Sequence, residues 1–129
     1  MTDLLLDTNA VLRLISSESV PEPARYALLA PSNMIYCSAA SSWEIAIKTH
    51  KGRLDDAGLL THWDAWLEEI GSTTLPITAE DGIHAGLLDW DHADPFDRVI
   101  VAQARRRGLT VVTSDRAILR SGLVKTLEF

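Results

Sequence analysis

At 129 residues, 47% of them hydrophobic, the chain is sized for a single domain over 1–129 that buries about two-thirds of its unfolded surface. Wholly apolar runs reach only a few residues, which excludes a membrane-spanning helix, and the lack of a basic segment before Asp7 argues against a secretory signal. The net charge of −6 speaks against bulk attraction to nucleic acid, and one cysteine, Cys37, permits no internal disulfide, as expected in a reducing cytoplasm.

Apolar runs alternate with helical patterns along the chain. Leu4 to Leu6 predicts a short strand and Thr8 to Ile15 a helix. Pro21 and Pro23 are expected to break the chain before a second helical stretch, Ala24 to Ala30. Met34 to Ser38 reads as a strand, with Cys37 in it as a small buried hydrophobe. From Ser38 the spacing is helical, with Trp43 and Ile47 on one side and Gly52 as the stop. Leu59 to Ile70 is amphipathic, and its stripe of Trp63, Trp66, Leu67 and Ile70 predicts a core or subunit contact. Ser72 to Thr78 is a third strand candidate and Ala79 to Trp90 a helix. Pro95 opens a helix that runs to Gly108. Leu109 to Thr113 gives a fourth strand, Asp115 to Gly122 a short helix, and Val124 to Phe129 a last strand. This alternation implies an α/β fold, a three-layer α/β/α sandwich around a mainly parallel sheet.

Charge is unevenly spread. No Lys or Arg occurs between Leu54 and Asp97, a stretch rich in acids from Asp55 and Asp56 to Asp91 and Asp94. Basic residues gather on either side, Lys48, Lys51 and Arg53 before it and Arg98, Arg105 to Arg107, Arg116, Arg120 and Lys125 after it. Singly these are solvated helix faces, Arg105 to Arg107 favouring a helix C-terminus. As a set they form a basic rim suited to phosphates.

Four carboxylates stand out by position. Asp7 ends the run LLL, Asp115 closely follows LTVV, and Glu44 and Asp97 lie near helix starts in SSWEIAIK and HADPFDRVIVAQA. The carboxyl ends of strands in an open α/β sheet form the crevice where ligands collect, so these acids are expected to converge. Side by side, each like-charged pair repels by roughly 4 kcal/mol at an effective dielectric of about 20. Such a cluster persists when a divalent cation sits in it or some acids stay protonated. All-oxygen ligation suits Mg²⁺ or Mn²⁺, and the pattern predicts a metal-dependent phosphodiesterase. Each acid also has a bland role. Asp7 and Asp115 are placed as helix N-caps. Glu44 can pair with Lys48 four positions on, a contact worth about 0.3–0.5 kcal/mol on a helix surface. Its apolar neighbours Trp43, Ile45, Ala46 and Ile47 nevertheless put it in a semi-buried setting where an unpaired charge is costly. Asp94 before Pro95, with Asp97 three positions later, is close to a capping box.

Taken in order, LLLDTNAVLRL, SSWEIAIKTHKGRL and HADPFDRVIVAQARRRGLTVVTSDRAI resemble the PIN-domain family, and within it the VapC-type toxins, ribonucleases of bacterial toxin–antitoxin pairs. The resemblance runs end to end, although Ile15 to Ala40 and Asp55 to Asp91 carry no motif. It implies an endoribonuclease that uses Mg²⁺, with Mn²⁺ as a substitute, to activate a water and stabilise phosphoryl charge, leaving 5′-phosphate and 3′-hydroxyl ends. It makes Asp7 the first metal ligand and Asp97, which is followed by an apolar helix, another. Glu44 holds the metal or serves as base, and Asp115 completes a second position. Asn9 with Thr8, Asp94, Thr113 and Ser114 become residues that orient the acids or touch the substrate phosphate. The same resemblance implies an RNA substrate, a small cognate antitoxin and a cytoplasmic location. It also implies a homodimer, for which the Trp-rich helix offers a surface, and a larger hetero-oligomer with the antitoxin.

The histidines carry less. His92 is near the acids in sequence, whereas His50, His62 and His84 lack ligand spacing, and the dominance of carboxylates disfavours zinc. No nucleophile elbow, glycine-rich phosphate loop or nucleotide fingerprint occurs. Two other classes fit in part. A non-catalytic PIN-like binding module is argued against by the presence of all four acids. A receiver-like Mg²⁺-binding signalling domain needs a phosphoacceptor Asp after a central strand, where this chain has Ser38 and Thr113.

Overall fold

The first strand, β1 (Leu4–Leu6), is fully buried, as a parallel strand covered on both faces must be. Leu4 and Leu6 enter one core and Leu5 the other, following the two-residue alternation of a strand. This is a computed structural model, and it describes residues 2–16, 19–55 and 58–129; Asp56 of the acidic stretch lies outside them. β1 pairs with β2 (Ile35–Ser38) on one side and β4 (Thr110–Thr113) on the other, Leu6 standing between Cys37 and Val112. β3 (Ser72–Leu75) lies outside β2 and β5 (Thr126–Glu128) outside β4, giving the order β3-β2-β1-β4-β5 with every pairing parallel. The chain thus builds outward from β1 in one direction, then returns to build in the other. That reversal creates a topological switch point at the carboxyl ends of β1 and β4.

Helices cover both faces, as the α/β reading requires. α1 (Thr8–Ile15), α2 (Glu22–Leu29) and α4 (Trp63–Glu69) supply the core around Leu4 and Leu6. α6 (Pro95–Arg107) and α7 (Arg116–Arg120) supply the core around Leu5. α3 (Ala39–His50) serves both, Ile45 in the first and Ala40 in the second. α5 (Ala79–Leu87) packs on α6, where the fully buried Asp81 accepts from Arg107, Arg106 and Gln103. Among the described residues no helix is long and apolar enough to cross a membrane.

Several bounds differ from expectation for local reasons. Pro23 lies inside the first turn of α2 instead of preceding it, because no backbone N–H is needed there. Residues 58–62 form turns, so α4 starts only at Trp63, and β3 ends before Pro76. The tryptophan stripe turns inward: Leu67 is buried, and Trp63, Trp66 and Ile70 pack against the same core. One side of the stripe is therefore a core contact. Large exposed apolar side chains sit elsewhere, on Tyr26 and Leu29 of α2, Trp43 of α3 and Leu87 of α5. Cys37 is fully buried, and burial pushes its thiol up to about 11, so it is an inert core residue.

Candidate active site

β1 ends at Asp7, which stays in register through its N–H to the Val112 carbonyl (3.1 Å) and then, in extended conformation, caps α1. Its Oδ1 accepts from the Ala10 N–H at 2.7 Å and its Oδ2 from the hydroxyl of Thr113. Thr113 is fully buried at the end of β4, and its oxygen also accepts from the Asp115 N–H at 2.9 Å. One threonine hydroxyl therefore joins the two acids across the switch point. Asp115 caps α7 through Oδ1 alone, at 2.8 and 3.2 Å to the N–H groups of Ala117 and Ile118, so its second oxygen takes no part in the cap. In both residues the helix cap fixes a carboxylate at the wall of the cleft.

Glu44 reaches the same place from α3, whose N-cap Ser38 ends β2. It is only 7% exposed. Its Oε2 pairs with Lys48 Nζ at 2.8 Å, while Oε1 is buried with no hydrogen-bond partner. The surface-pair reading is half right, since the pair forms but the acid is buried. On α6, Asp94 caps through Oδ1 to the N–H groups of Phe96 and Asp97 (2.9 and 3.2 Å). The Asp97 carboxylate turns to His92 Nε2 at 2.7 Å, and the His92 ring packs on Trp90 at 4.7 Å between centroids.

These groups line one cleft of about 210 Å³, formed by Asp7, Thr8, Asn9, Glu44, Lys48, Asp94, Asp97 and Asp115. Thr8 is steadied by Ser41, hydroxyl to hydroxyl at 3.0 Å. Burial, aided by the charges of Asp115 and Glu44, pushes the Asp7 carboxyl up to about 6 against the hydrogen bonds from Thr113 and Ala10. Burial likewise pushes Asp97 up to about 6, with Asp94 and Asp115 adding repulsion and His92 opposing it. The hydrogen bond to Asp97 raises the His92 imidazole above its ordinary value. A buried carboxylate oxygen without a partner and two carboxyl groups destabilised in their charged form by burial are what an oxygen-ligated dication relieves, so the donor set fits Mg²⁺ or Mn²⁺.

Of the two supporting residues expected beside Asp115, one lies among the acids and the other does not. Thr113 sits beneath the cleft holding Asp7, and Ser114 is exposed and outside the lining. On the α6 side of the cleft, donor atoms of His92, Asp94 and Asp97 lie within 4.8 Å of one another. His92 was underweighted because a lone histidine carries little signal; its place two residues before Asp94 was the available clue. Much of the expected basic rim is spent on structure. Arg98 donates to the carbonyls of Trp90, Leu88, Ala85 and His92, Arg106 and Arg107 bind Asp81, and Arg105 bonds the Leu123 carbonyl.

A PIN domain family model matches residues 4–122 of this sequence. The chain is a PIN-domain protein. No curated protein matches it. Solved structures do. The PIN domain is similar to a chain of VapBC2 from Rickettsia felis bound to a promoter DNA fragment, at 18% identity over 99% of both chains with a TM-score of 0.75. It is similar to a chain of DNA-bound VapBC from Salmonella typhimurium, at 24% identity over 99% of this chain and 98% of that one, with a TM-score of 0.71. A third likeness is to VapBC-5 from Mycobacterium tuberculosis, at 17% identity over 100% of both chains and a TM-score of 0.62. At these identities the likeness is one of fold.

Proposed function

We propose that this PIN domain is a Mg²⁺- or Mn²⁺-dependent endoribonuclease, the toxin of a VapBC-type toxin–antitoxin pair acting in the cytoplasm. The observation that carries the reading is convergence at the switch point. Five carboxyl groups from four separate segments line one cleft, one of them with a buried oxygen that has no protein partner. Asp7 and Asp97 hold the cation, Glu44 holds it or accepts a proton from the attacking water, and Asp115 completes a second position. A bound dication supplies Lewis-acid stabilisation of phosphoryl charge and acidifies water. Thr113 fixes the Asp7 carboxylate and His92 that of Asp97, so neither has to reorganise during the reaction. With water as nucleophile the RNA 2′-hydroxyl is unused, and the products carry 5′-phosphate and 3′-hydroxyl ends.

Likeness to chains of VapBC complexes supports a cognate antitoxin as the restraining partner. The reading is tested by Mn²⁺ titration followed by calorimetry, beside cleavage of RNA with and without the ion. Wild type takes up Mn²⁺ and cleaves only when loaded, and Asp7→Asn loses both. A folded wild-type protein that takes up no Mn²⁺ and leaves RNA intact overturns it.

A further inference from the structure

Among the described residues, the lining of the cleft contains five carboxyl groups and a single ammonium, that of Lys48. The arginines that the sequence offers for holding phosphate near Asp97 are committed to carbonyls or to Asp81. The Lys48 ammonium pairs with Glu44, Nζ to Oε2 at 2.8 Å, with the lysine side chain 41% exposed and the glutamate side chain 10%. A lysine is a compact charge on a flexible four-carbon stem, able to move its head while the stem stays packed. The partly exposed end of this pair can therefore change partner without disturbing the buried end.

We propose that Lys48 exchanges roles with the metal: it neutralises Glu44 in the metal-free protein and becomes the phosphate-holding cation once a dication takes Glu44 Oε1. The proposal rests on the nuclease reading and adds to it a substrate-binding residue. The physical basis is competition. Glu44 is buried, and Lys48 provides a counter-ion at one oxygen while the other has no partner. A dication at that other oxygen supplies the missing charge and weakens the hold on the ammonium. A phosphodiester entering among five carboxyl groups then meets the one ammonium of the cleft lining, that of Lys48.

The test is Lys48→Gln, with Lys48→Arg beside it, read by Mn²⁺ calorimetry, thermal melts and cleavage kinetics on a short single-stranded RNA. Removing a positive charge next to the ion tightens Mn²⁺ binding several-fold, while kcat/KM falls at least tenfold. The slope of log kcat/KM against log salt drops by about one. Without metal the Gln variant melts lower than wild type, and saturating Mn²⁺ closes the gap. The Arg variant keeps the metal-free melting temperature and recovers part of the activity. A merely structural lysine would weaken metal binding and activity together. Wild-type Mn²⁺ uptake beside a Gln variant with unchanged kinetics and salt slope, or with weaker Mn²⁺ binding, overturns the Lys48 proposal alone. A wild type that takes up no Mn²⁺ overturns the nuclease reading beneath it.

Discussion

Asp94 and Asp97 are three residues apart, yet the structure gives them different work. Asp94 spends one oxygen on the helix cap, whereas Asp97 is held by His92 and raised by its surroundings. Asp97→Asn is expected to abolish RNA cleavage and leave the metal-free melting temperature unchanged or raised, because it relieves repulsion. Asp94→Asn is expected to keep most of the activity, since Asn is also a good N-cap. The reverse ranking in a cleavage assay would reassign the third acid. A pH effect follows from the same acids. Asp7 and Asp97 bind protons more tightly folded than unfolded, with values near 6 against an ordinary 3.8. Their contribution to stability is fully present below about pH 4, is lost as pH rises toward 6 and stays lost above. For Asp7, which is 2% exposed, the loss is about 2–3 kcal/mol. His92, also raised, loses its contribution at higher pH still. Metal-free protein should therefore melt at progressively lower temperature from pH 4 to pH 7, and Mg²⁺ at pH 7 should restore it. A flat metal-free profile in the same melts would show that these acids are not strained.

At the scale of elements, the α5–α6 pair is the platform for one wall of the cleft. Asp81 is buried and, although burial alone would raise it, hydrogen bonds from Arg107, the Thr78 backbone and Arg106 hold it well below the usual carboxylate range. Asp81→Ala leaves two guanidinium groups without their anion and is expected to cost about 3–5 kcal/mol in urea unfolding. The folded fraction should keep its Mn²⁺ affinity, because Asp81 lies outside the cleft. Elements of this kind were legible where chemistry is local: the LLL run, Pro95 at the start of α6 and Gly108 at its end. Gly108 closes that helix in the left-handed conformation that glycine adopts without strain. The inward turn of Trp63 and Trp66 was not legible, since an amphipathic stripe marks a buried face without naming what buries it.

For the molecule as a whole, the proposed antitoxin faces a concentrated negative cleft. An arginine fork binds carboxylates bidentately, so inhibition is expected through an extended C-terminal segment that places Arg, or Lys, among Asp7, Glu44 and Asp97. Truncating that segment should restore RNA cleavage even where the two proteins still co-purify. Equal inhibition by the truncated antitoxin would mean the toxin is silenced elsewhere. The gathering of distant acids could be anticipated because strand ends in a parallel sheet share one edge, which is how Asp7 and Asp115 were paired across the chain. The bond between Asp97 and His92 and the commitment of Arg98 to backbone carbonyls could not. These depend on the path of the loop over residues 88–94 and on side-chain packing that no spacing rule encodes.

The hydroxyl that joins Asp7 to β4 spans 106 positions of sequence. Asp7 is translated well before Thr113, which orients it, and Asp115, which adds a like charge beside it. A nascent chain stopped before β4 carries Asp7, Glu44 and Asp97 without the strand that aligns them, and contacts of such long range form late in folding. On the proposed reading the enzyme is therefore silent until β4 has been made and has docked beside β1.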